Sequence, residues 1–123
     1  MEFYHVNHNV LDIEKTIAFY QDYFGLKIVK EFDEPDQRLV FLGDGKNSFL
    51  MELTYLKGRK EPYDVGETPF HLAFYSDTYK SDYERHKAEG LIVDEVKAMR
   101  LHFIKDPDGY LLEILDSDRS NLG

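Results

Sequence analysis

Eight short stretches of the chain have a pattern of apolar and polar residues that is typical of β-strands, in which successive side chains point to opposite faces. The stretches are residues 3–10, 26–32, 38–42, 48–55, 69–76, 91–96, 98–105 and 110–115. Two further segments, residues 13–24 and 79–89, lie between a capping residue and a glycine, which predicts two helices. Asp12 is the expected cap of the first helix, and Ser76 or Asp77 that of the second. The polar tail over residues 116–123 is expected to fray.

The order of these elements occurs twice. Each half predicts a strand that carries a histidine, a helix, a glycine, two strands and a last strand that carries a glutamate. His5 precedes Gly25 by 20 residues and His71 precedes Gly90 by 19. The predicted fold class is therefore α+β, a single domain of two βαβββ modules over about residues 1–57 and 68–116. A unit of this size seldom buries its sheet face alone, so we expect the two modules to pair.

Glu113 is an unexpected residue in the last strand. The preceding Asp-Pro-Asp-Gly at 106–109 is strong turn chemistry, and the strand that follows is otherwise apolar on both faces. An ionised carboxylate buried there costs several kcal/mol unless a cation or hydrogen bonds compensate it. Glu52, between Met51 and Leu53, has the same pattern in the first half.

Four residues at matched positions of the repeat suggest a metal site. If the modules pack with approximate two-fold symmetry, their first and last strands line a common concave surface, on which two imidazoles and two carboxylates converge. This set suits Ni²⁺, Co²⁺, Mn²⁺, Fe²⁺ or Zn²⁺ in octahedral or five-coordinate geometry, with water in the open positions. The candidate ligands are His5, Glu52, His71 and Glu113.

Composition and charge argue against several classes of function. The chain has 123 residues, the length of one domain, and carries 24 acidic against 15 basic residues for a net charge of −9. Nucleic acid and anionic membranes are therefore poor partners. The absence of cysteine excludes disulfides, thiolate metal sites and cysteine nucleophiles. Because neither a signal peptide nor a long apolar run is evident, we expect a cytoplasmic protein.

Five segments in order along nearly the whole chain resemble one known family. They are Phe-Tyr-His at 3–5, Ile-Ala-Phe-Tyr-Gln-Asp-Tyr-Phe-Gly-Leu at 17–26, Met-Glu-Leu-Thr-Tyr at 51–55, Phe-His-Leu-Ala at 70–73 and Asp-Pro-Asp-Gly-Tyr-Leu-Leu-Glu at 106–113. On these segments the chain resembles the glyoxalase I (lactoylglutathione lyase) family of the vicinal-oxygen-chelate superfamily. The turn followed by Glu113 marks the superfamily, whereas Glu-Leu-Thr-Tyr with both histidines indicates the glyoxalase I type.

The resemblance implies a fold, a metal and an assembly. The fold is that of the glyoxalase/bleomycin-resistance/dioxygenase proteins, in which the paired modules form a concave sheet that holds the metal. The residues matching His5, Glu52, His71 and Glu113 are the metal ligands in that family. One divalent ion per site is expected, with Ni²⁺ or Co²⁺ favoured and Zn²⁺ as a further candidate. The short bacterial members work as homodimers with active sites between subunits.

The reaction implied by the resemblance is a proton transfer on a small-molecule substrate. A hemithioacetal of a 2-oxoaldehyde such as methylglyoxal and a thiol is isomerised to a 2-hydroxyacyl thioester. A free glutamate, with a pKa of about 4.3, is a feeble base towards a C–H bond, so the charge that develops on oxygen needs a metal to stabilise it. We expect Glu113 to act as the principal base, with Glu52 as its near-symmetric counterpart.

Departures from the family pattern concern the thiol. Family members that use glutathione commonly carry an arginine four residues after the first histidine and an asparagine just after Glu-Leu-Thr-Tyr; here Asn9 and Leu56 occupy those positions. The family's Lys-Gly-Gly segment is also missing, and Lys97 is the nearest substitute. The cosubstrate is therefore expected to be either glutathione or another thiol.

Three other functions fit the sequence less well than the lyase. Acyl-CoA epimerases of this superfamily generally have glutamine where this chain has Glu52. Ring-cleaving dioxygenases use two histidines and one glutamate with iron, so a fourth ligand argues against them. A bleomycin-resistance-type binding protein would suit the acidic charge, but such proteins lack the four-ligand set.

The remaining histidines are expected outside the site. His8 falls on the opposite strand face from His5, so it is interpreted as structural. The resemblance implies that the face of Phe103 is directed towards the site, and His102 lies on the other face of its strand, so it too is interpreted as structural. His86 lies among charged residues of the second helix and is expected to be solvated.

Overall fold

The computed structural model describes residues 1–118 and contains two sheets and two helices. The elements in chain order are β1 (His5–Asn9), α1 (Ile13–Phe24), β2 (Lys27–Asp33), β3 (Gln37–Gly43), β4 (Leu50–Leu56), β5 (His71–Ser76), α2 (Tyr79–Ala88), β6 (Asp94–Val96), β7 (Leu101–Lys105) and β8 (Leu111–Asp116). The predicted α+β class with two βαβββ modules is confirmed. Of the tail predicted to fray, Asp116 ends β8, and residues 119–123 lie outside the described residues.

The two modules share one strand order. The first sheet has the order β1-β4-β3-β2 and the second β5-β8-β7-β6. In each, the first and last strands pair in parallel at the same register, so that Asn7 is opposite Glu52 and Ala73 is opposite Glu113. The remaining pairs are antiparallel. The chain divides into two compact units, Met1–Asp64 and a second that begins at Val65.

Helix α1 has strong local signals at both ends. The Asp12 carboxylate accepts a hydrogen bond from the Lys15 amide at 3.1 Å, and Gly25 ends the helix in the left-handed region at a φ of 66°. Between these caps, one stripe of residues is buried against the sheet: Ile13, Thr16, Ile17 and Tyr20. Helix α1 packs against β4, so this stripe covers one face of the first sheet, the face on which Leu53 is buried.

The second module differs from the sequence predictions at three places. Helix α2 begins at Tyr79 as predicted, but Thr78 rather than Ser76 or Asp77 occupies its N-cap position. The strand predicted over residues 91–96 starts at Asp94, because the Leu91 amide bonds the His86 carbonyl at the end of α2. The strand predicted over residues 98–105 starts at Leu101, because residues 97–99 form a 3₁₀ turn. Arg100 leaves that turn with a φ of 49°, which no strand tolerates.

Alternation along β4 and β8 decides which side chains face the helices. Leu112 and Ile114 are buried under α2, while Glu113 lies on the opposite face of β8. In the first module, Met51 and Leu53 are buried and Glu52 lies on the open face of β4. Neither helix within residues 1–118 is long and apolar enough to span a bilayer.

Candidate metal centre

The first module places His5 and Glu52 side by side on the open face of its sheet. His5 lies on β1, and parallel pairing with β4 brings Glu52 next to Asn7, two residues further along the same strand face. The His5 Nε2 and Glu52 Oε1 atoms are 3.4 Å apart. The exposed fraction is 31% for the His5 side chain and 15% for that of Glu52. This carboxylate is thus largely withdrawn from water, with an imidazole beside it.

The second module repeats this arrangement with His71 and Glu113. Parallel pairing of β5 with β8 brings Glu113 next to Ala73, again two residues after the histidine. The His71 Nε2 and Glu113 Oε1 atoms are 3.2 Å apart, within hydrogen-bonding distance. Glu113 is as covered as Glu52, with 15% of its side chain exposed. The sequence repeat therefore corresponds to a repeated local geometry.

A phenylalanine stands beside each pair. Phe41 of β3 is in register with Glu52, and its ring meets the His5 ring edge-on with centroids 5.5 Å apart. Phe103 of β7 is in register with Glu113 and meets His71 in the same way at 5.3 Å. These rings displace water from one side of each carboxylate. Phe103 was expected on the face directed towards the site, whereas Phe41 was not predicted, although alignment of the two halves of the sequence would have revealed it.

The geometry of both pairs fits metal binding. Two donor atoms bound to one ion at about 2.1 Å each lie about 3 Å apart when adjacent, close to the separations measured here. Imidazole nitrogen and carboxylate oxygen together suit borderline divalent ions. Within residues 1–118 of a single chain, no three histidine, aspartate or glutamate side chains gather into one candidate cluster. Each unit holds half of the predicted set, and the role of the four residues as ligands stays a prediction.

Two of the other histidines, His8 and His102, lie on sheet strands, and the third, His86, lies on helix α2. His8 is 4% exposed and its ring lies near that of Tyr20, as its strand position predicted. His102 is fully buried, also as expected. The prediction that His86 is solvated is wrong, since only 2% of this residue is exposed. The reason is a polar partner below the helix, because His86 Nδ1 lies 2.8 Å from His102 Nε2.

The histidines under α2 form a buried polar cluster with Tyr79, whose hydroxyl lies 2.9 Å from His102 Nδ1. Burial, followed by the neighbouring His86, lowers the pKa of His102 to about 4. Burial also lowers the pKa of His86, and it raises the pKa of Tyr79 to about 12. All three groups are therefore neutral near pH 7. Their polar atoms are hydrogen-bonded to one another on the face of the second sheet that lies opposite His71 and Glu113.

The residues that depart from the family pattern lie near the site. Asn9 shares the open strand face with His5 and accepts a 2.7 Å hydrogen bond from the Asn7 amide. Asn7 in turn accepts a hydrogen bond from the Thr54 hydroxyl at 2.5 Å. Leu56 ends β4, and Lys97 is an exposed residue of the 3₁₀ turn. A neutral amide network on β1 therefore occupies the place where a guanidinium was expected.

Comparisons with known proteins agree on one family. The family model described as the Glyoxalase/Bleomycin resistance protein/Dioxygenase superfamily matches residues 3–114. A lactoylglutathione lyase of Neisseria meningitidis is 34% identical, over 94% of this chain and 90% of that protein. The solved structure of the trypanothione-dependent glyoxalase I of Leishmania major has a TM-score of 0.85 at 28% identity, over 98% of this chain and 90% of that one.

Some relatives are longer than this chain. A lactoylglutathione lyase of Arabidopsis thaliana is 33% identical over 92% of this chain, which corresponds to 43% of the plant protein. The chain thus spans less than half the length of the plant relatives it matches.

Proposed function

The chain belongs to the glyoxalase/bleomycin resistance protein/dioxygenase superfamily, and from that premise we propose that it is a lyase of the lactoylglutathione lyase type. Its substrate would be the hemithioacetal of a 2-oxoaldehyde such as methylglyoxal and a thiol. The product would be the corresponding 2-hydroxyacyl thioester. Several relatives bear the name lactoylglutathione lyase, among them the proteins of Neisseria meningitidis and Haemophilus influenzae.

The duplicated pair of histidine and glutamate is the observation that carries the proposal. Each module aligns a glutamate with the residue two places after a histidine, and each glutamate has a phenylalanine at its other side. Half-buried carboxylates beside imidazoles and aromatic rings are costly without a function that uses them. A binding protein that held a ligand by shape and charge alone would have no need of this repeated arrangement.

We propose that His5, Glu52, His71 and Glu113 hold one divalent metal ion, with Ni²⁺ or Co²⁺ favoured. Two nitrogen and two oxygen donors suit these ions and leave positions open in octahedral geometry. When bound, such an ion supplies Lewis-acid stabilisation of the negative charge that develops on the substrate oxygens.

Proton transfer is assigned to Glu113. A carboxylate oxygen of Glu113 takes the proton from the carbon that carries sulfur, and the C–H electrons form the double bond of an enediolate. Glu113 then returns the proton to the neighbouring carbon, the hydroxyl proton of the sulfur-bearing carbon passes to the oxygen of that neighbour, and the sulfur-bearing carbon becomes the thioester carbonyl. The partial burial of this carboxylate and the adjacent Phe103 ring limit its hydration, so little water has to be displaced before its oxygen contacts the substrate C–H bond.

We propose a homodimer in which the His5–Glu52 pair of one protomer and the His71–Glu113 pair of its partner form each site. Two observations support this assembly. Each unit carries only half of the ligand set, and several large apolar side chains in the described part of the chain are exposed, including Phe3, Phe32, Phe70 and Tyr75. A symmetric dimer would form two equivalent sites.

The thiol cosubstrate is glutathione or another thiol. The relative from Leishmania major is described as trypanothione-dependent, so the thiol differs among proteins of this fold. Asn9 and Leu56 stand where glutathione-dependent relatives carry arginine and asparagine. Turnover should therefore be compared for several thiols rather than for glutathione alone.

Metal titration combined with an activity assay tests the proposal. Chelator-treated protein would be titrated with Ni²⁺, Co²⁺ and Zn²⁺ by calorimetry, and the loaded samples assayed for thioester formation from methylglyoxal and a thiol. We expect about one ion per protomer, with turnover lowered by about 10²–10⁴-fold in Glu113→Gln. Glu67→Gln is a matched control, because Glu67 is exposed in a loop of the same unit. Absence of metal binding, or equal turnover in Glu113→Gln and wild type, would contradict the proposal.

A further inference from the structure

Two aromatic rings extend the candidate site along the open face of the first sheet. The Tyr4 and Phe41 rings lie 6.4 Å apart between centroids, and we refer to these two residues as the aromatic shelf. Both rings also contact the His5 imidazole, Tyr4 at 4.7 Å and Phe41 at 5.5 Å. The shelf therefore begins at a predicted metal ligand and leads away from it.

The Lys30 ammonium lies at the far side of this shelf. Its nitrogen is 4.7 Å from the centroid of Phe41 and 5.3 Å from that of Tyr4. It donates a 2.6 Å hydrogen bond to the Tyr4 hydroxyl. Lys30 is in register with Phe41, which is in register with Glu52, so all three side chains share one sheet face. The Phe41 ring contacts both the ammonium and the His5 ring, so one ring separates the cation from the predicted metal ligand.

Lys30 differs from Arg38 and Lys57 in having no acidic partner. Arg38 is paired with Glu14 and Glu31, and Lys57 is paired with Asp33. Among residues 1–118, no carboxylate lies within ion-pairing distance of Lys30, although acidic residues outnumber basic ones by 24 to 15. One N–H is directed to Tyr4, and the other two of its three donors are available for a ligand. The rings on one side reduce its hydration, which strengthens attraction to an anion.

We propose that Lys30 is a specificity-determining residue that binds a carboxylate of the substrate. This inference rests on the proposed function, since it assumes that the reacting carbon atoms lie at the His5–Glu52 pair. A substrate anchored there and extending past Tyr4 would place an anionic group against the Lys30 ammonium, since Tyr4 and Lys30 are exposed whereas Phe41 is buried. Asn9 supplies no charge on this face, so Lys30 provides the cation that the expected arginine would have supplied.

The carboxylate can come from either half of the substrate. A thiol such as glutathione carries carboxylates, whereas methylglyoxal carries none. An oxoaldehyde with an acidic side chain, such as 4,5-dioxopentanoate, would present its carboxylate from the other half. The shared chemistry is a carboxylate on the shelf, and the choice of substrates separates the two sources.

The test compares Lys30→Met and Lys30→Arg with the wild-type metal-loaded protein. Methionine keeps an unbranched side chain over Phe41 without the charge, and arginine keeps the charge. Lys27→Met is the matched control, because Lys27 is exposed on the same strand β2 and is in register with Gly43 rather than with the shelf. Kinetics would be measured with methylglyoxal and glutathione, with methylglyoxal and cysteamine, and with 4,5-dioxopentanoate and cysteamine. Calorimetric binding of S-methylglutathione supplies a readout that does not require turnover.

Loss of one charge-assisted hydrogen bond predicts a change of about tenfold. If the thiol is the source, Lys30→Met raises KM about tenfold with glutathione, leaves kcat within about twofold, and has no effect with cysteamine and methylglyoxal. If the oxoaldehyde supplies the carboxylate, Lys30→Met raises KM with 4,5-dioxopentanoate and cysteamine instead. In either case Lys30→Arg restores KM and Lys27→Met leaves it unchanged.

Failure of this inference and failure of the proposed function give different results. Normal turnover with KM unchanged in Lys30→Met for all three substrate pairs overturns the role of Lys30 and leaves the lyase standing. Absence of turnover in the wild type, with S-methylglutathione binding weakened about tenfold by Lys30→Met, overturns the lyase and retains the carboxylate contact. If turnover is absent and S-methylglutathione binding is equal in all variants, both are overturned.

Discussion

Glu52 and Glu113 have nearly the same surroundings, yet only one of them is expected to act as the principal base. Each side chain is 15% exposed, each faces an imidazole, and each has a phenylalanine in register. They differ in the strand residue opposite: Asn7 can offer polar contacts beside Glu52, whereas Ala73 offers none beside Glu113. A carboxylate with fewer polar neighbours changes its contacts at lower cost, as a proton carrier must.

Separate glutamine variants test this asymmetry. For protein loaded with metal, we expect Glu113→Gln to lower kcat by about 10²–10⁴-fold, the usual contribution of a general base. Glu52→Gln should raise the dissociation constant for the metal by a similar factor, but it should retain a higher kcat per bound ion than Glu113→Gln. The measurement is kcat normalised to metal content by elemental analysis. If the order of the two variants were reversed, Glu52 would be the principal base.

The buried His102 makes stability depend on pH. Its pKa in the folded protein is about 4, lowered by burial and then by His86, against about 6.5 in the unfolded chain. Between these values the unfolded state binds a proton that the folded state does not. The free energy of unfolding should therefore fall as the pH falls from 6.5 towards 4, by at most about 1.4 kcal/mol per pH unit for one histidine.

Urea titrations at pH 7.0, 6.0 and 5.5 measure this dependence while most carboxylates stay ionised. His102→Gln should make the free energy of unfolding depend less on pH, since the glutamine side chain does not titrate in this range. Tyr79→Phe removes the hydroxyl next to His102 but keeps both histidines, so it should lower stability without abolishing the slope. An unchanged slope in His102→Gln would show that other groups control the acid response.

At the scale of elements, helix α1 has the stronger local signals and α2 the weaker. Helix α1 has a side-chain cap at Asp12, an apolar stripe and a left-handed glycine. Helix α2 has no side-chain cap on its N-terminus, and its only buried residue is His86. Much of the stabilisation of α2 therefore comes from the polar cluster beneath it, whereas α1 should be sensitive to its own capping residue.

Removal of the α1 cap should have a measurable cost. We expect Asp12→Ala to lower the free energy of unfolding by about 1 kcal/mol, since the Lys15 amide loses its acceptor. Asp12→Asn retains an acceptor oxygen and should recover most of the loss. Chemical denaturation at pH 7 measures both variants. Equal stability of Asp12→Ala and wild type would mean that packing alone fixes the start of the helix.

Sequence patterns predicted the elements well where local chemistry decides them. Asp12, Gly25 and the Asp-Pro-Asp-Gly turn act through backbone geometry and neighbouring atoms, so their effects can be inferred without a structure. The failures occurred where tertiary contacts decide. Arg100 adopts a left-handed conformation that its residue type does not indicate, and His86 is buried because His102 lies beneath it.

At the scale of the whole molecule, the internal repeat contained most of the information about the candidate site. Matched spacing identified His5, Glu52, His71 and Glu113, and the structure places each histidine beside the glutamate of its own module. The shelf and Lys30 escaped prediction, because register between β2, β3 and β4 cannot be deduced from one sequence. Assembly of the two half-sets likewise depends on contacts beyond a single module.

Mixing two inactive variants tests whether the half-sets combine between protomers. His5→Ala damages every first-module half-set, and His71→Ala damages every second-module half-set, so each variant alone should be inactive. After subunit exchange in an equimolar mixture, half of the dimers are mixed, and each mixed dimer holds one intact and one doubly damaged site. About a quarter of wild-type activity should then return. Sites built within single chains would restore none, because every chain in the mixture carries one of the two substitutions. Recovery that rises with the time allowed for exchange, and stops when the protomers are cross-linked beforehand, would identify the interface between subunits as the place where the half-sets meet.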